Sequence, residues 1–286
     1  MAYTIITDSA CDLSMNILNE WKIKCCPLSF HFEGERYYNE YCMNKSVFYE
    51  KLKKGEKVQT AAVSIDCFEE IFESALAIGN DVLYIGFSSK LSDTYANALK
   101  AKDEELIKYP NRKIILVDSL CASSGLGLLL YLVYLQKEQG ATIEEARDYA
   151  LDTRLYICHY FTVKSLSNLK NGGRIKPLAA IFGNLFKIKP IMRVNDEGCL
   201  VPFLKVLGHK KSLDTIYSYY EENNLKNKEN YVFISRANAE NEAYKMKEVL
   251  EKNYNAKVIL VSEIGSVIGT HCGEGTLAIF FLGKHR

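Results

Sequence analysis

The 286-residue chain lacks several features that would assign it to a familiar class. Lys and Arg number 36 against 35 Asp and Glu, so no excess of positive charge favours nucleic acid as a partner. The longest apolar stretch, residues 126–135, is far shorter than the roughly 20 residues of a membrane-spanning helix. The first residues show no secretory signal pattern. We therefore expect a cytoplasmic protein without a membrane-spanning segment, although transient membrane contact stays open.

Common metal, nucleotide and catalytic motifs are also missing. The nine cysteines contain no C-x-x-C, so we expect reduced, mostly buried thiols and no metal site. No G-x-x-x-x-G-K-[ST] occurs, and Gly125-x-Gly127 lacks the third glycine of a dinucleotide fingerprint. Neither Ser88 nor Ser123 lies in a complete G-x-S-x-G elbow. The sequence predicts no cofactor and no catalytic residue.

Three apolar, strand-like runs in the first half each end in a cluster of Ser, Thr and Asp. They are residues 3–6 before Thr7-Asp8-Ser9, residues 82–87 before residues 88–94, and residues 114–117 before Asp118-Ser119. The carboxyl ends of parallel strands meet where open α/β sheets bind ligands, so we expect these hydroxyls to surround one small polar group. This pattern predicts a site with many neutral donors and little charge.

Helical segments alternate with these strands at residues 68–77, 95–107 and 125–139, and a capping box of Thr142 and Glu145 begins another that extends to about residue 156. Alternation of this kind predicts a parallel sheet covered by helices. We assign residues 1–156 to this N-terminal α/β domain. Residues 25–58 break the pattern and predict a small inserted hairpin followed by a short helix.

The pattern changes after residue 156 and predicts a second α/β layer domain over residues 157–286. Its expected helices are residues 213–222 and 241–253. Its expected strands are residues 157–163, 231–235, 257–262 and 277–282, with two more within 187–207 joined by a turn at residues 195–198.

Two glycine-containing segments of the second half have special backbone chemistry. Gly172 and Gly173 follow a short predicted helix and bring bare amides near a ligand or the other domain, although a helix C-cap beside a solvated Arg174 explains them equally well. Residues 269–276 read as a Gly-rich loop with one histidine, His271, before the last strand. Both a structural and a functional role for His271 stay open.

The motifs together resemble one protein family. They are Thr7-Asp8-Ser9, Thr60 with Ser64, residues 88–95, Val117-Asp118-Ser119 with Ser123-x-Gly125-x-Gly127, residues 169–174, and Gly269-Thr270-His271. In this order, over nearly the whole chain, they resemble the DegV family of two-domain bacterial α/β proteins. The resemblance implies a parallel-sheet N-terminal domain, a second α/β layer domain, and a fatty acid bound between them. It also implies a non-catalytic partner of a fatty-acid kinase, active in phospholipid metabolism.

The resemblance also implies roles for individual residues. Thr60 and Ser92 are expected to hold the carboxylate through their hydroxyls, with His271 as a third partner. Additional residues of the ligand loops are Ser64, Gly172, Gly173, Arg174 and Thr270. Apolar candidates for the wall around the acyl tail are Phe161, Leu166, Leu178, Ile181, Phe182, Leu185, Phe186 and Ile191.

The chain departs from the family pattern at several positions. Residues 61–63 read Ala-Ala-Val where relatives carry more polar residues, Asp93 replaces a common glycine, and Glu274 replaces a common proline. Relatives often place arginines at the positions of Leu207 and His209, and an arginine there is associated with the kinase. These departures weaken the expectation of kinase coupling more than that of lipid binding.

A serine hydrolase acting on a lipid or ester is the alternative function. It would use Ser92 or Ser123 as nucleophile, His271 as base, and Asp8 or Asp118 as the third group. It requires these side chains to form one hydrogen-bonded chain.

Overall fold

A computed structural model describes residues 2–175, 188–226 and 230–286. In chain order, the first half forms β1 (Tyr3–Asp8), α1 (Met15–Glu20), β2 (Lys24–Cys26), β3 (Ser29–Phe32), β4 (Tyr38–Asn39), α2 (Lys45–Lys53), β5 (Val58–Ala61), α3 (Ile65–Leu76), β6 (Asp81–Gly86), α4 (Thr94–Lys108), β7 (Ile114–Asp118), α5 (Ser124–Glu138) and α6 (Ile143–Thr153). The second half forms β8 (Ile157–Thr162), α7 (Ser167–Asn171), β9 (Ile188–Val194), β10 (Leu200–Leu207), α8 (His209–Asn223), β11 (Tyr231–Arg236), α9 (Glu240–Tyr254), β12 (Lys257–Glu263), α10 (Ser266–Cys272) and β13 (Leu277–Leu282).

The first sheet has four parallel strands in the order β2-β1-β6-β7. Every residue of β1 and β6 is buried, as expected for continuous apolar strands covered on both faces. The predicted parallel sheet is therefore confirmed. The predicted capping box is also present, since Thr142 and Glu145 bond to each other's backbone at the start of α6.

The inserted segment forms its own antiparallel sheet in the order β4-β3-β5. The hairpin β3-β4 and helix α2 match the prediction for this region. Strand β5, which follows α2, was not predicted. It pairs Thr60 with Phe30 of β3, so a predicted ligand residue belongs to the inserted sheet.

The second sheet has six strands in the order β10-β9-β8-β13-β11-β12. Neighbours run antiparallel except β11 and β12, and Gly198 takes φ +83° in the predicted turn between β9 and β10. Strand β8 begins at Ile157, the predicted first residue of the second domain. The exact domain division stays a prediction.

Two apolar clusters lie on opposite faces of the second sheet. The inner cluster extends from the first sheet through α5 to Phe161 and Phe280, whereas the outer cluster joins Tyr160 and Ile279 to α8 and α9. Alternate residues of each strand point to opposite faces, so neighbouring side chains of β8 enter different clusters. Nowhere in the described ranges does a helix combine the length and hydrophobicity needed to cross a membrane.

Candidate functional site

A largely apolar cavity lies between the inner face of the second sheet and the loops that follow strands of the first sheet. Ligand pockets are usually lined by apolar groups with a few polar groups that fix orientation. The apolar side chains in its wall include Phe87, Leu91, Ala122, Phe161, Leu169, Val194, Leu200, Val267, Ile268, Ala278 and Phe280. The cavity therefore suits a ligand that is mostly hydrocarbon.

Thr60, Ser92 and His271 all line this cavity. Thr60 Oγ1 lies 3.0 Å from His271 Nε2, within hydrogen-bond distance. The three residues come from β5, from the loop before α4 and from α10. Thus the three predicted head-group residues, far apart in sequence, surround one space.

The hydroxyl of Ser92 is oriented by its neighbours. Its oxygen accepts the N–H of Thr94 at 3.2 Å and lies 2.9 Å from Thr94 Oγ1, which itself accepts the N–H of Val63 at 3.3 Å. When Thr94 donates its hydroxyl proton to Ser92, the proton of Ser92 is left for a ligand. Ser92 is then a directed donor to an anion in the cavity.

His271 lies in the last turn of helix α10, so the prediction of a Gly-rich loop at this position is wrong. Residues 266–272 close helical backbone bonds despite Gly269, and the loop begins only at Gly273. Burial, together with the nearby positive charge of Arg174, lowers the pKa of His271 to about 4. The imidazole is therefore neutral at pH 7 and donates a hydrogen bond from only one nitrogen.

Gly172 and Arg174 pack around the histidine. A Cβ at Gly172 would collide with His271 Nδ1, so this close approach requires glycine. Gly172 is also the C-cap of α7, and Gly173 adopts φ +71°. Arg174 lines the cavity and donates to the carbonyls of Leu91 at 3.2 Å and Gly172 at 2.5 Å. The predicted turn is thus both a helix cap and part of the cavity wall.

The polar end of the cavity adjoins an open surface cleft. Four residues line both spaces: Thr60, Arg174, His271 and Cys272. Thr270 lines only the cleft, and its hydroxyl donates to the Ser266 carbonyl at 2.8 Å. Most other side chains of the cleft are polar, including Lys53, Lys57, Lys164, Asn168 and Glu274. A head group beside His271 would therefore lie next to the surface.

Several predicted residues lie elsewhere. Ser64 is exposed, caps α3 through the N–H of Cys67 at 3.3 Å and does not line the cavity. Phe161 lines the cavity, but Leu166 is not among its lining residues, and Ile191 packs in the outer cluster on the opposite face of the sheet. The prediction for Ile191 is wrong because strand alternation turns it away. Leu178, Ile181, Phe182, Leu185 and Phe186 lie outside the described residues.

The polar clusters at the strand ends mostly bond to the protein itself. Asp8 accepts Tyr84 OH at 2.7 Å and the N–H of Phe87 at 2.8 Å, and burial raises its pKa to about 6. Ser88 donates to the Gly198 carbonyl at 2.9 Å, and Asp118 accepts the N–H of Leu120 at 3.0 Å. Of the polar side chains in the three clusters only Ser92 lines the cavity, so the expectation that these hydroxyls together surround one polar group is wrong for the others.

The residues of the alternative hydrolase do not form a triad. Among the hydrogen bonds of the described residues, none joins Ser92 or Ser123 to His271, and His271 Nδ1 has no partner. Ser123 instead donates to Asp12 Oδ2 at 2.5 Å. No carboxylate orients the histidine and no histidine bonds to the serine, so this arrangement does not support general-base activation of a serine nucleophile.

His159, which belongs to none of the predicted motifs, also lines the cavity. It is 2% exposed on β8, its Nδ1 lies 2.9 Å from the Ile157 carbonyl, and its Nε2 accepts the N–H of Ala122 at 3.3 Å. Burial and the nearby Arg286 lower its pKa well below the ordinary range. Both ring nitrogens have hydrogen-bond partners, so the neutral ring forms part of the cavity wall. His159 and Phe161 are two residues apart on β8, and strand alternation therefore predicts that they face the same side.

Neither cysteines nor acidic groups form a metal centre in the part of the chain that the structure describes. All nine cysteines are free thiols, and five of them are buried. Three of the others, Cys25, Cys67 and Cys199, are half-buried, and Cys42 is exposed. The expectation of reduced, mostly buried thiols agrees with this arrangement.

Comparison with known proteins assigns the chain to a family. The model of the family described as uncharacterised protein, DegV family, matches residues 2–284. A DegV domain-containing protein of Clostridium perfringens is 38% identical over 286 residues, 99% of this chain and 98% of that protein. The solved structure of DegV, a fatty acid binding protein from Bacillus subtilis, is 27% identical with a TM-score of 0.85, covering 99% of this chain and 100% of that one. That of a stearic acid-binding protein from Eubacterium ventriosum is 26% identical with a TM-score of 0.87, covering 98% of each chain. The chain therefore belongs to the DegV family, as its motifs predicted.

Proposed function

We propose that this protein binds one long-chain fatty acid and presents its carboxylate to a partner kinase, which forms the acyl phosphate. The observation that carries the proposal is an apolar cavity that ends at Thr60, Ser92 and His271. Solved family members of the same fold bind fatty acids, which supports this class of ligand. The protein itself then supplies binding and orientation and leaves the chemical step to the kinase.

In this proposal the apolar part of the cavity receives the acyl tail. Burial of one methylene contributes about 0.8 kcal/mol, so roughly fifteen methylenes contribute on the order of 12 kcal/mol before the cost of association. Inner-face residues such as Phe161, Ala278 and Phe280 offer that surface. The tail therefore supplies most of the affinity.

The head group needs donors, and the three polar residues provide them in a definite order. In the arrangement that we propose, the neutral His271 carries its proton on Nε2 and donates to Thr60 Oγ1, so that the hydroxyl protons of Thr60 and Ser92 point to the carboxylate. Hydrogen bonds to a charged acceptor are about twice as strong as neutral ones. Two hydroxyls therefore orient the carboxylate without the bidentate grip of an arginine.

The neighbouring surface cleft supports the second half of the proposal. A carboxylate held by Thr60 lies where the cavity and the cleft share their lining, so a kinase seated on the cleft could reach it. Family membership supports a kinase as the partner. The same position shields the tail while leaving the head accessible.

Native mass spectrometry of the freshly purified protein, with extraction of any bound lipid, tests the first half. We expect one fatty acid per chain, or stoichiometric uptake by protein stripped of lipid; protein that stays empty in both tests contradicts the proposal. For the second half, loaded protein is mixed with ATP and a fatty-acid kinase, and acyl phosphate is trapped with hydroxylamine. Absence of the hydroxamate with a kinase that is active on another family member without arginines at the positions of Leu207 and His209 contradicts the role of partner.

A further inference from the structure

Two buried carboxylates from distant parts of the chain hold the start of helix α10. Glu40 accepts the N–H of Ser266 at 2.5 Å and the N–H of Val267 at 2.9 Å, one on each carboxylate oxygen. Asp12 accepts the N–H of Gly265 at 2.8 Å. Glu40 is 3% exposed and Asp12 is 4% exposed. Burial of a carboxylate is costly unless hydrogen bonds compensate, so the position of these groups is strongly determined.

Helix α10 has no cap of its own, which explains why the carboxylates are needed. Its N-cap is Gly265, which has no side chain to accept the first free N–H groups. Glu40 does this from 226 residues away. A Cβ at Gly265 would collide with Glu40, so glycine permits this close approach. The helix is thus capped by the inserted segment and not by its own sequence.

The same helix carries His271 at its other end. Ser266 and His271 are five residues apart, about 7.5 Å along the axis of an α-helix. Between them, a Cβ at Gly269 would lie 2.6 Å from Tyr49 OH, and Tyr49 donates to the Ile264 carbonyl at 2.9 Å. The inserted segment and the adjoining strand β5 therefore contact α10 at its start, its middle and, through Thr60, its end.

We propose that Glu40 is a positioning residue for the fatty-acid head group. By accepting both N–H groups at the start of α10, it fixes the axial position and rotation of the helix and keeps His271 Nε2 in reach of Thr60 Oγ1. This inference rests on the function proposed above. Glu40 contacts neither the cavity nor the cleft, and it acts through the helix. Small displacements matter here, because a site loosened by about 1 Å loses its hydrogen-bond geometry.

Glu40→Gln tests this inference with two ligands of equal tail length, hexadecanoate and hexadecan-1-ol. The carboxamide accepts one N–H but directs its own NH₂ against the other, so α10 shifts. We expect hexadecanoate to lose about tenfold more affinity than the alcohol, as for loss of one hydrogen bond, since any shift of Val267 and Ile268 in the apolar wall affects both tails equally. An equal loss for both ligands would mean a general structural role and would overturn the inference.

A matched control replaces another buried glutamate by glutamine. Glu105 on α4 is 0% exposed and pairs with Lys108 at 2.7 Å, away from the cavity. Glu105→Gln makes the same chemical change, and neither ligand should bind differently. If Glu105→Gln loses as much hexadecanoate affinity as Glu40→Gln, the effect of both variants comes from general destabilisation of the fold, and the inference is overturned.

A double-mutant cycle tests the route through Thr60. In a Thr60→Val background, Glu40→Gln should weaken hexadecanoate binding by less than about twofold more, because the contact on which it acts is already absent. An undiminished further loss overturns the route. If Glu40→Gln does not fold, Glu40→Asp keeps the charge but shortens the reach, and the same expectations apply. If the wild-type protein binds neither ligand, the proposed function is refuted. The contacts by which Glu40 holds α10 are not affected by that result.

Discussion

Replacement of Thr60 by valine removes one hydroxyl from the candidate site while preserving the shape of the side chain. Thr60 Oγ1 lies 3.0 Å from His271 Nε2 and faces the cavity. A hydrogen bond to a charged group contributes about 1.5–3 kcal/mol, so the lost bond to the carboxylate should weaken fatty-acid binding roughly ten- to hundredfold. The apolar wall around the tail is unchanged, so measurable binding should remain.

Isothermal titration calorimetry with protein stripped of lipid measures this difference. Thr162→Val is the matched control, because Thr162 is buried on the same sheet as the cavity, donates to the Pro190 carbonyl at 3.0 Å and does not line the cavity. The control should lose about 1 kcal/mol of stability and no affinity. An affinity of Thr60→Val within twofold of wild type, in a folded protein, would refute the proposed contact with the carboxylate.

Three further expectations follow from the same geometry. Ser92→Ala should weaken fatty-acid binding about tenfold in the same titration, with a melting temperature close to wild type, because it removes a hydroxyl and little core volume; unchanged affinity would count against Ser92 as a donor. Ala278→Leu should shift the preference toward acids shorter by about three methylenes, measured by competition within a mixture of chain lengths, because Ala278 lines the cavity. The folded-state pKa of His271, about 4, lies below its unfolded value of 6.5, so the stability contributed by the neutral ring is lost as pH falls through this window. His271→Gln should flatten that part of the pH dependence of the melting temperature; an unaltered slope would contradict the neutral assignment.

Local patterns account for how much of the fold was predictable. Continuous apolar runs, as in β6, mark strands covered on both faces, and the capping box at Thr142 marks a helix start because both of its contacts lie within three residues. Strand β13 has the predicted bounds of residues 277–282. Strand β5 was not predicted because it is short and because its pairing partner, β3, lies nearly thirty residues earlier in the chain.

The site was less predictable because its geometry depends on distant contacts. Helix α10 looked like a loop, since Gly269 weakens its helix propensity and glycines flank both ends, and because no local pattern connects it to its cap, Glu40. Polar strand ends such as Asp8 looked available to a ligand, yet they bond to neighbouring backbone. Thr60, Ser92 and His271 were identified through the family resemblance, and spacing alone would not have joined them.

Affinity and presentation depend on different parts of this molecule. Roughly fifteen methylenes contribute on the order of 12 kcal/mol, against about 1.5–3 kcal/mol for one hydrogen bond to the carboxylate, so binding survives changes that disorder the head. Presentation instead requires an oriented head and a matching surface. Leu207 is 68% exposed, and His209 Nε2 lies 2.8 Å from Glu242, at the two positions where the family resemblance implies arginines. Neither residue lines the cavity. A kinase that depends on those arginines would therefore fail to phosphorylate the fatty acid bound here, while the affinity for that fatty acid would be unaffected.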